Sequence, residues 1–305
     1  MGQRYRRGPV PSLEIHPLSE LRAEAASLLA DRFARQRAAE PLLPEVDDFE
    51  PHVPVDGHVA TRGGDAVAYL AGAVDGDMAR WLFAGHAARE PEALRDLFEA
   101  QAGELGVSRF MLTVPASEPE LVDVWFRLAF GCQAVWAVRE VAPEAAIEFG
   151  GVIRPASPSD VEALIELDQL LFTHQAVTPS FSGLVPANRE VLRTELDEMW
   201  ADDTYVPFVA ETDAGVVGTL GLYRRPEGDL RVPANNIDLA FAATRDEARG
   251  RGVGRALTAF ALTWAHEHGF NSMTVDWRSV NLLSSRFWPR RGFRPQYLRL
   301  YRAVP

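Results

Sequence analysis

Arg249-Gly250-Arg251-Gly252-Val253-Gly254-Arg255-Ala256-Leu257 lies between an apolar run, Ile237 to Ala243, and a segment, Leu257 to His268, whose apolar residues (Leu257, Phe260, Ala261, Trp264) fall at helical spacing. The order predicts a strand, a glycine-rich loop and a helix. Glycines free the backbone to turn its N–H groups toward one point. The start of a helix adds unpaired N–H groups and the positive end of its dipole. Arg249, Arg251 and Arg255 add charge. Together these features make a site for a phosphate or pyrophosphate.

Two phosphate loops fit poorly. A Walker loop requires Gly-Lys-Ser/Thr, which does not follow here. A dinucleotide fingerprint requires a third glycine, but Gly252-Val253-Gly254 is followed by Arg255-Ala256-Leu257. Asp276 stands about where that fold places its ribose-binding acid, which keeps the dinucleotide reading open. The plain alternative is a tight strand-to-helix turn on a solvated arginine face.

A chain of 305 residues suits two domains of ordinary size, and 47% hydrophobic against 24% charged residues can bury full cores. Basic residues number 31 against 43 acidic, a net charge of −12. That balance argues against non-specific nucleic-acid binding and suits a cationic or neutral substrate. The Arg4–Arg7 cluster reads as a frayed tail. The single cysteine, Cys132, leaves no intrachain disulfide. No signal peptide or membrane span is legible, so a cytoplasmic protein without a membrane partner is expected. A homodimer stays open.

Ser19–Ala39 reads as a helix and the proline-rich 41–54 as loop. Strands follow at Gly57–Arg62, Ala66–Val74 and Met78–Ala84, with turn signals at Gly63-Gly64 and Asp75-Gly76-Asp77. Then come a helix (Glu92–Leu105), a strand (Arg109–Val114), a helix (Pro119–Ala129) and a strand (Gln133–Val141). A linker at Ala142–Gly151 precedes the same order again. Its elements are a strand at Val152–Pro155, helices to about Phe172 and at Arg189–Trp200, and a hairpin of Val206–Glu211 with Val216–Tyr223. The glycine loop follows between its strand and helix, then Ser272–Trp277, a helix at Leu282–Trp288 and a last strand at Gln296–Arg302. The chain is therefore an internal repeat, with domains expected at 1–145 and 150–305. The glycine loop does not repeat: the first half has Phe83 to Pro91 there, shorter and without the glycine triplet.

Two motifs in the second half carry a family resemblance. Arg249-x-x-Gly252-x-Gly254 resembles the acyl-coenzyme A signature of the GCN5-related N-acetyltransferases, Gln/Arg-x-x-Gly-x-Gly/Ala. Asn281-x-x-Ser284-x-x-Phe287-Trp288-x-x-x-Gly292-Phe293 is similar to that family's Asn-x-x-Ala-x-x-Leu-Tyr-x-x-x-Gly-Phe. The resemblance covers roughly Val152 to Arg302, and the first half resembles the same fold with a degenerate coenzyme loop. It implies an α/β protein of two tandem copies, each a mixed, mostly antiparallel sheet flanked by helices. The second copy would be the catalytic one.

The implied chemistry is direct transfer of an acetyl group from acetyl-CoA, as co-substrate, to a primary amine, with no metal. In relatives, backbone groups at the positions of Ala242 and Thr244 pair with the pantetheine arm, and the loop Arg249, Gly250, Arg251, Gly252, Val253, Gly254 and Arg255 would hold the pyrophosphate. Asn281 matches a residue that contacts the coenzyme arm. The amine must lose its proton to attack. Asp238 is the expected base: strand alternation puts it on the face of Thr244, six residues on. Glu211 and Asp276 are fallbacks. The tyrosine that often protonates the leaving thiolate is replaced by Trp288, which cannot do so; Ser284 or a water would serve instead, and Trp288 would wall the acyl pocket or pack in the core. His174 follows the first helix of this half, in a segment that borders the acceptor in relatives. His266 and His268, two apart on a helix, do not share a face for a metal. The rival class is a silent coenzyme A binder, and the acceptor could be a small molecule or a peptide.

Overall fold

The structure, a computed structural model, describes residues 12–181, 188–200, 204–226 and 228–304. The Arg4–Arg7 cluster lies outside the described residues. The described residues form two compact units: one of residues up to Pro41, Glu45–Gln133 and Gln296 onward, the other of Leu42–Pro44 and Ala134–Pro295.

The first part of the chain runs β1 (Leu13–Pro17), α1 (Arg22–Ala39), β2 (Gly57–Arg62), β3 (Asp65–Ala71), β4 (Ala73–Asp75), β5 (Met78–Trp81), β6 (His86–Ala88), α2 (Ala93–Leu105), β7 (Arg109–Pro115), α3 (Pro119–Arg127) and β8 (Gly131–Glu140). The second runs β9 (Val152–Pro155), α4 (Val161–Ala176), α5 (Arg189–Trp200), β10 (Tyr205–Thr212), β11 (Gly215–Tyr223), β12 (Asn236–Thr244), α6 (Val253–Glu267), β13 (Ser272–Arg278), α7 (Ser284–Phe287) and β14 (Arg294–Ala303). The repeated order predicted from periodicity is present. The short strands β1 and β6 are additions, and the strand expected over Ala66–Val74 is two. It breaks at Gly72, where a Cβ would stand 2.1 Å from the Arg80 carbonyl oxygen.

In the second unit the strand order is β8-β13-β12-β11-β10-β9. Only β12 and β13 run parallel. The first unit has a sheet of order β1-β2-β3-β6 and the series β4-β5-β7-β14, with β5 and β7 parallel. Hydrogen-bonded pairing exchanges the final strands. β8, the last strand of the first half, pairs with β13 from Ser272↔Glu140 to Arg278↔Ala134. β14, the last strand of the chain, pairs with β7 from Tyr297↔Pro115 to Ala303↔Arg109. The compact units therefore divide the chain differently from the expected 1–145 and 150–305. Leu300 of β14 is fully buried in the first unit's core with Leu112, Val114 and Trp125, worth about 2 kcal/mol for a leucine withdrawn from water.

The first core is aromatic: Trp81 stacks on Phe110 at 5.7 Å and meets Phe98 edge-on at 5.8 Å. In the second unit Phe208 of β10 meets Phe260 and Trp264 of α6 at 5.2 and 5.6 Å. Gly218 lets α6 approach, since a Cβ there would lie 2.9 Å from Val253 Cγ1. On the other face α4 and α5 join through Val161, Ile165 and Leu192.

Candidate active site

The site is built by a parting of two strands. β12 pairs with β13 only from Asn236↔Ser272 to Leu239↔Val275, then continues to Thr244 beside β11 alone. Residues from Ala240 onward thus have an edge without a ladder on the β13 side, and they are more exposed than the four before them. Unpaired backbone groups at such an edge are donors and acceptors waiting for a partner. The wedge forms a cleft of about 420 Å³, bordered by Ala242 and Thr244, the glycine loop, Asn281, Ser284 and Trp288.

The loop has the conformation the glycines predict. Gly250 and Gly252 have φ of +76° and +92°, left-handed values that disfavour a side chain. Gly252 is the N-cap of α6, and its carbonyl accepts from the Ala256 N–H at 2.9 Å. The N–H groups of Val253, Gly254 and Arg255 then lie in the first turn without partners in the helix, at the positive end of its dipole. Arg249 is held by Asp246 at 2.6 Å. Arg251 and Arg255 make no ion pair with the described residues. Arg251 lies outside the cleft lining, so an anion at this point meets helix N–H groups and the uncommitted Arg255 guanidinium.

Across the wedge, Asn281 is buried and caps α7: its Oδ1 accepts from the N–H groups of Leu283 (3.1 Å) and Ser284 (3.3 Å). Its amide N–H₂ donates to no described residue and borders the cleft. Ser284 Oγ donates to the Asn281 carbonyl at 3.4 Å. Trp288, 7% exposed, meets Phe287 and Phe293 edge-on at 4.8 and 5.6 Å. It is both core and cleft wall.

Asp238 does not border this cleft. The expectation that it shares a face with Thr244 fails on a bulge. Leu222 opposes Leu239, but its neighbour Gly221 opposes Phe241, leaving Ala240 as an extra residue. One extra residue inverts the alternation beyond it, so Asp238 and Thr244 face opposite sides of the sheet. The Asp238 carboxylate is buried and engaged at both oxygens, Oδ2 by Arg225 at 2.7 Å and Oδ1 by the Thr274 hydroxyl at 2.7 Å. Thr274 accepts from Asn236, whose Oδ1 accepts from Ser272. With both oxygens engaged, the carboxylate serves as the counter-ion of Arg225. Replacing Asp238 by asparagine is expected to lower stability in urea by roughly 2 kcal/mol, less than a fully buried pair because Arg225 keeps 28% of its side chain exposed.

Glu211 is paired with Arg154 at 2.8 Å, on the β9 edge of the sheet, and Asp276 is exposed on β13; neither borders the cleft. His174, near the end of α4, does border it. Among the described residues it is the only imidazole in the cleft lining, which holds no carboxylate. His268 stacks on Trp264 with ring centroids 3.8 Å apart. No group of three or more His, Cys, Asp or Glu that could hold a metal occurs among the described residues. Among these residues no helix is long and apolar enough to cross a membrane.

The first unit parts its strands at the corresponding place and fills the gap itself. β5 pairs with β7 from Met78↔Arg109 to Trp81↔Leu112, after which β6 runs beside β3. His86, fully buried, sends its Nε2 to the Thr113 carbonyl at 3.0 Å, and Trp125 meets its ring edge-on at 5.5 Å. Arg32, fully buried on α1, donates to the carbonyls of His86 and Phe83. Burial, aided by Arg32, pushes the His86 pKa down to about 3, so the ring is neutral. His86 carried no spacing signal in the sequence, because its role is set by a partner 27 residues away.

Residues 170–293 match the family model "Acetyltransferase (GNAT) family". The second unit carries a GNAT-family domain. The match spans both motifs and all three walls of the cleft. Over 87 residues the chain is 28% identical to human N-acetyltransferase 8B, an alignment of 28% of this chain and 37% of that relative's length. Among solved structures, a GCN5-related N-acetyltransferase from Sphaerobacter thermophilus superposes over 97% of this chain and 98% of its own, with a TM-score of 0.61 and 16% identity. A GNAT-family acetyltransferase from Colwellia psychrerythraea covers 96% and 100% with a TM-score of 0.52 and 12% identity. At these identities the likeness is one of fold, and it extends over both halves of the chain. The GNAT domain and the repeat together give a tandem GNAT-like architecture.

Proposed function

We propose that the second unit binds acetyl-CoA in the β12–β13 wedge and transfers its acetyl group to a primary amine by direct attack. The observation that carries this reading is the parting of β12 from β13 beneath a glycine loop whose helix start and Arg255 can receive a pyrophosphate. The open edge of Ala242 and Thr244 would pair with the pantetheine arm, and the Asn281 amide would donate to it. The amine nitrogen attacks the thioester carbonyl, the carbon–sulfur bond breaks, and an amide and a thiolate result. His174 would take the amine's proton. No residue matches the proton-donating tyrosine, but a thiolate whose acid has a pKa of about 8.5 leaves without a dedicated donor, and Ser284 can offer it a hydrogen bond. The first unit, its gap filled, would support the second without binding coenzyme.

The setting proposed is cytoplasmic. A panel of small amines and peptides with acetyl-CoA, read by free thiol release, tests the transfer. The second reading, a silent coenzyme A binder, is favoured by Trp288, and it predicts saturable binding with no thiol release on any amine.

A further inference from the structure

A second pocket, of about 230 Å³, lies between α4, α5 and the strands β10, β11 and β12. Leu164, Ile165, Leu192, Leu196 and Met199 make its walls apolar. Thr219 borders both this pocket and the cleft, and Phe241 of the pocket adjoins Ala242 of the cleft. The pocket thus reaches the open segment of β12 from the face opposite α6.

Its charged groups are of one sign. Asp168 of α4 and Glu195 of α5 present two carboxylates, and Tyr205 of β10 a phenol. Asp168 Oδ2 is shut off from solvent and has no hydrogen-bond partner among the described residues. Glu195 stands exposed at the mouth. β11 and β12 bring only the uncharged Thr219 and Phe241, so no described cation in the lining offsets the pair. An apolar pocket that keeps a carboxylate oxygen unpartnered favours a positive guest, because a buried charge is costly unless paired.

We propose that this pocket is the acceptor subsite and holds a second, non-reacting ammonium group, so that the acceptors are alkyl diamines. The inference rests on the acetyl-transfer reading above. An ammonium clamped by two carboxylates stays protonated, whereas the reacting nitrogen must be neutral. The clamped nitrogen is therefore not the nucleophile. The acceptor carries two amino groups, one in the pocket and one at the thioester, joined by an apolar spacer along the Leu and Met walls.

Burial, with Glu195 beside it, pushes the Asp168 pKa up to about 6. Burial, and then Asp168, push the Tyr205 phenol up to about 12, so it stays a donor. The clamp is charged at neutral pH and weakens as pH falls through about 6. Stability moves the other way. The folded state holds the Asp168 proton more tightly than the unfolded chain, so between the ordinary carboxylate value of 3.8 and about 6 its contribution to stability grows as pH falls. In Asp168→Asn the urea midpoint is expected to rise at pH 7 and to lose that pH dependence.

Steady-state kinetics with 1,6-diaminohexane and 1-aminohexane test the subsite. The wild type is expected to prefer the diamine at least about tenfold in kcat/KM, the weight of a charge-assisted contact. In Asp168→Asn, and less in the exposed Glu195→Gln, the preference collapses through a rise in KM for the diamine. Equal use of both amines by the wild type, or a preference that survives in Asp168→Asn, overturns the proposal. Calorimetry of 1,6-diaminohexane into the coenzyme A complex separates the two readings. Diamine binding lost in Asp168→Asn, without acetylation of either amine, upholds the pocket and sinks the transfer reading. Acetylation of 1-aminohexane without diamine binding does the reverse.

Discussion

Acetyl-CoA titrated into Gly254→Glu is expected to give no saturable heat, against one-site binding to the wild type. Gly254 lies in the first turn of α6 without a positive φ, so its backbone accepts any L residue. A Cβ there would meet the Phe287 ring at 3.6 Å, an ordinary contact, so the variant keeps its fold. The glutamate, however, extends into the cleft. It places a negative charge at the N–H groups that would receive the pyrophosphate and satisfies them itself, as acidic residues do at helix starts. Losing those hydrogen bonds and adding repulsion costs at least about 3 kcal/mol, more than a hundredfold in Kd. Circular dichroism checks the fold. Two sites in the wild type would mean the first unit's gap opens after all, and His86 and Arg32 could not then hold it shut as described.

The second large effect belongs to His174. His174→Gln is expected to lower kcat by about a hundredfold or more, the scale of general-base catalysis. Coenzyme affinity should be kept, since the anion site lies on the loop and α6. Asp238→Asn, corrected for its lower stability, should turn over within a few-fold of wild type, because its carboxylate already serves Arg225 and Thr274. A hundredfold loss in Asp238→Asn with normal turnover in His174→Gln would restore Asp238 as the base.

The contrast between these two residues shows what the sequence could carry. The glycine loop was legible because left-handed backbone demands glycine, and Gly250 and Gly252 occupy such positions. The repeat was legible because periodicity is local. The bulge at Ala240 was not, since alanine carries no mark of it and its cause is the mismatch between β11 and β12. Asp238 was therefore assigned by alternation to the face it does not occupy. Asp168 and Glu195 were missed for a related reason. They sit 27 positions apart on separate helices, where each reads as an ordinary acid, and only tertiary packing brings them to one pocket. β6 was read as part of a vestigial loop because three residues after Gly85 carry no alternation to count.

The exchange of final strands fixes the order in which the protein can be completed during synthesis. The first unit's last strand, β14, pairs with β7, yet it is translated after every other described element. Until then β7 has one unpaired edge and Leu112 and Val114 lack Leu300 above them. The first half is therefore a pending structure throughout translation of the second, with an edge open to any other strand nearby. The second unit meets no such delay, because β8 is already made when β13 arrives. The second unit can thus finish its own sheet before the half that precedes it in the sequence.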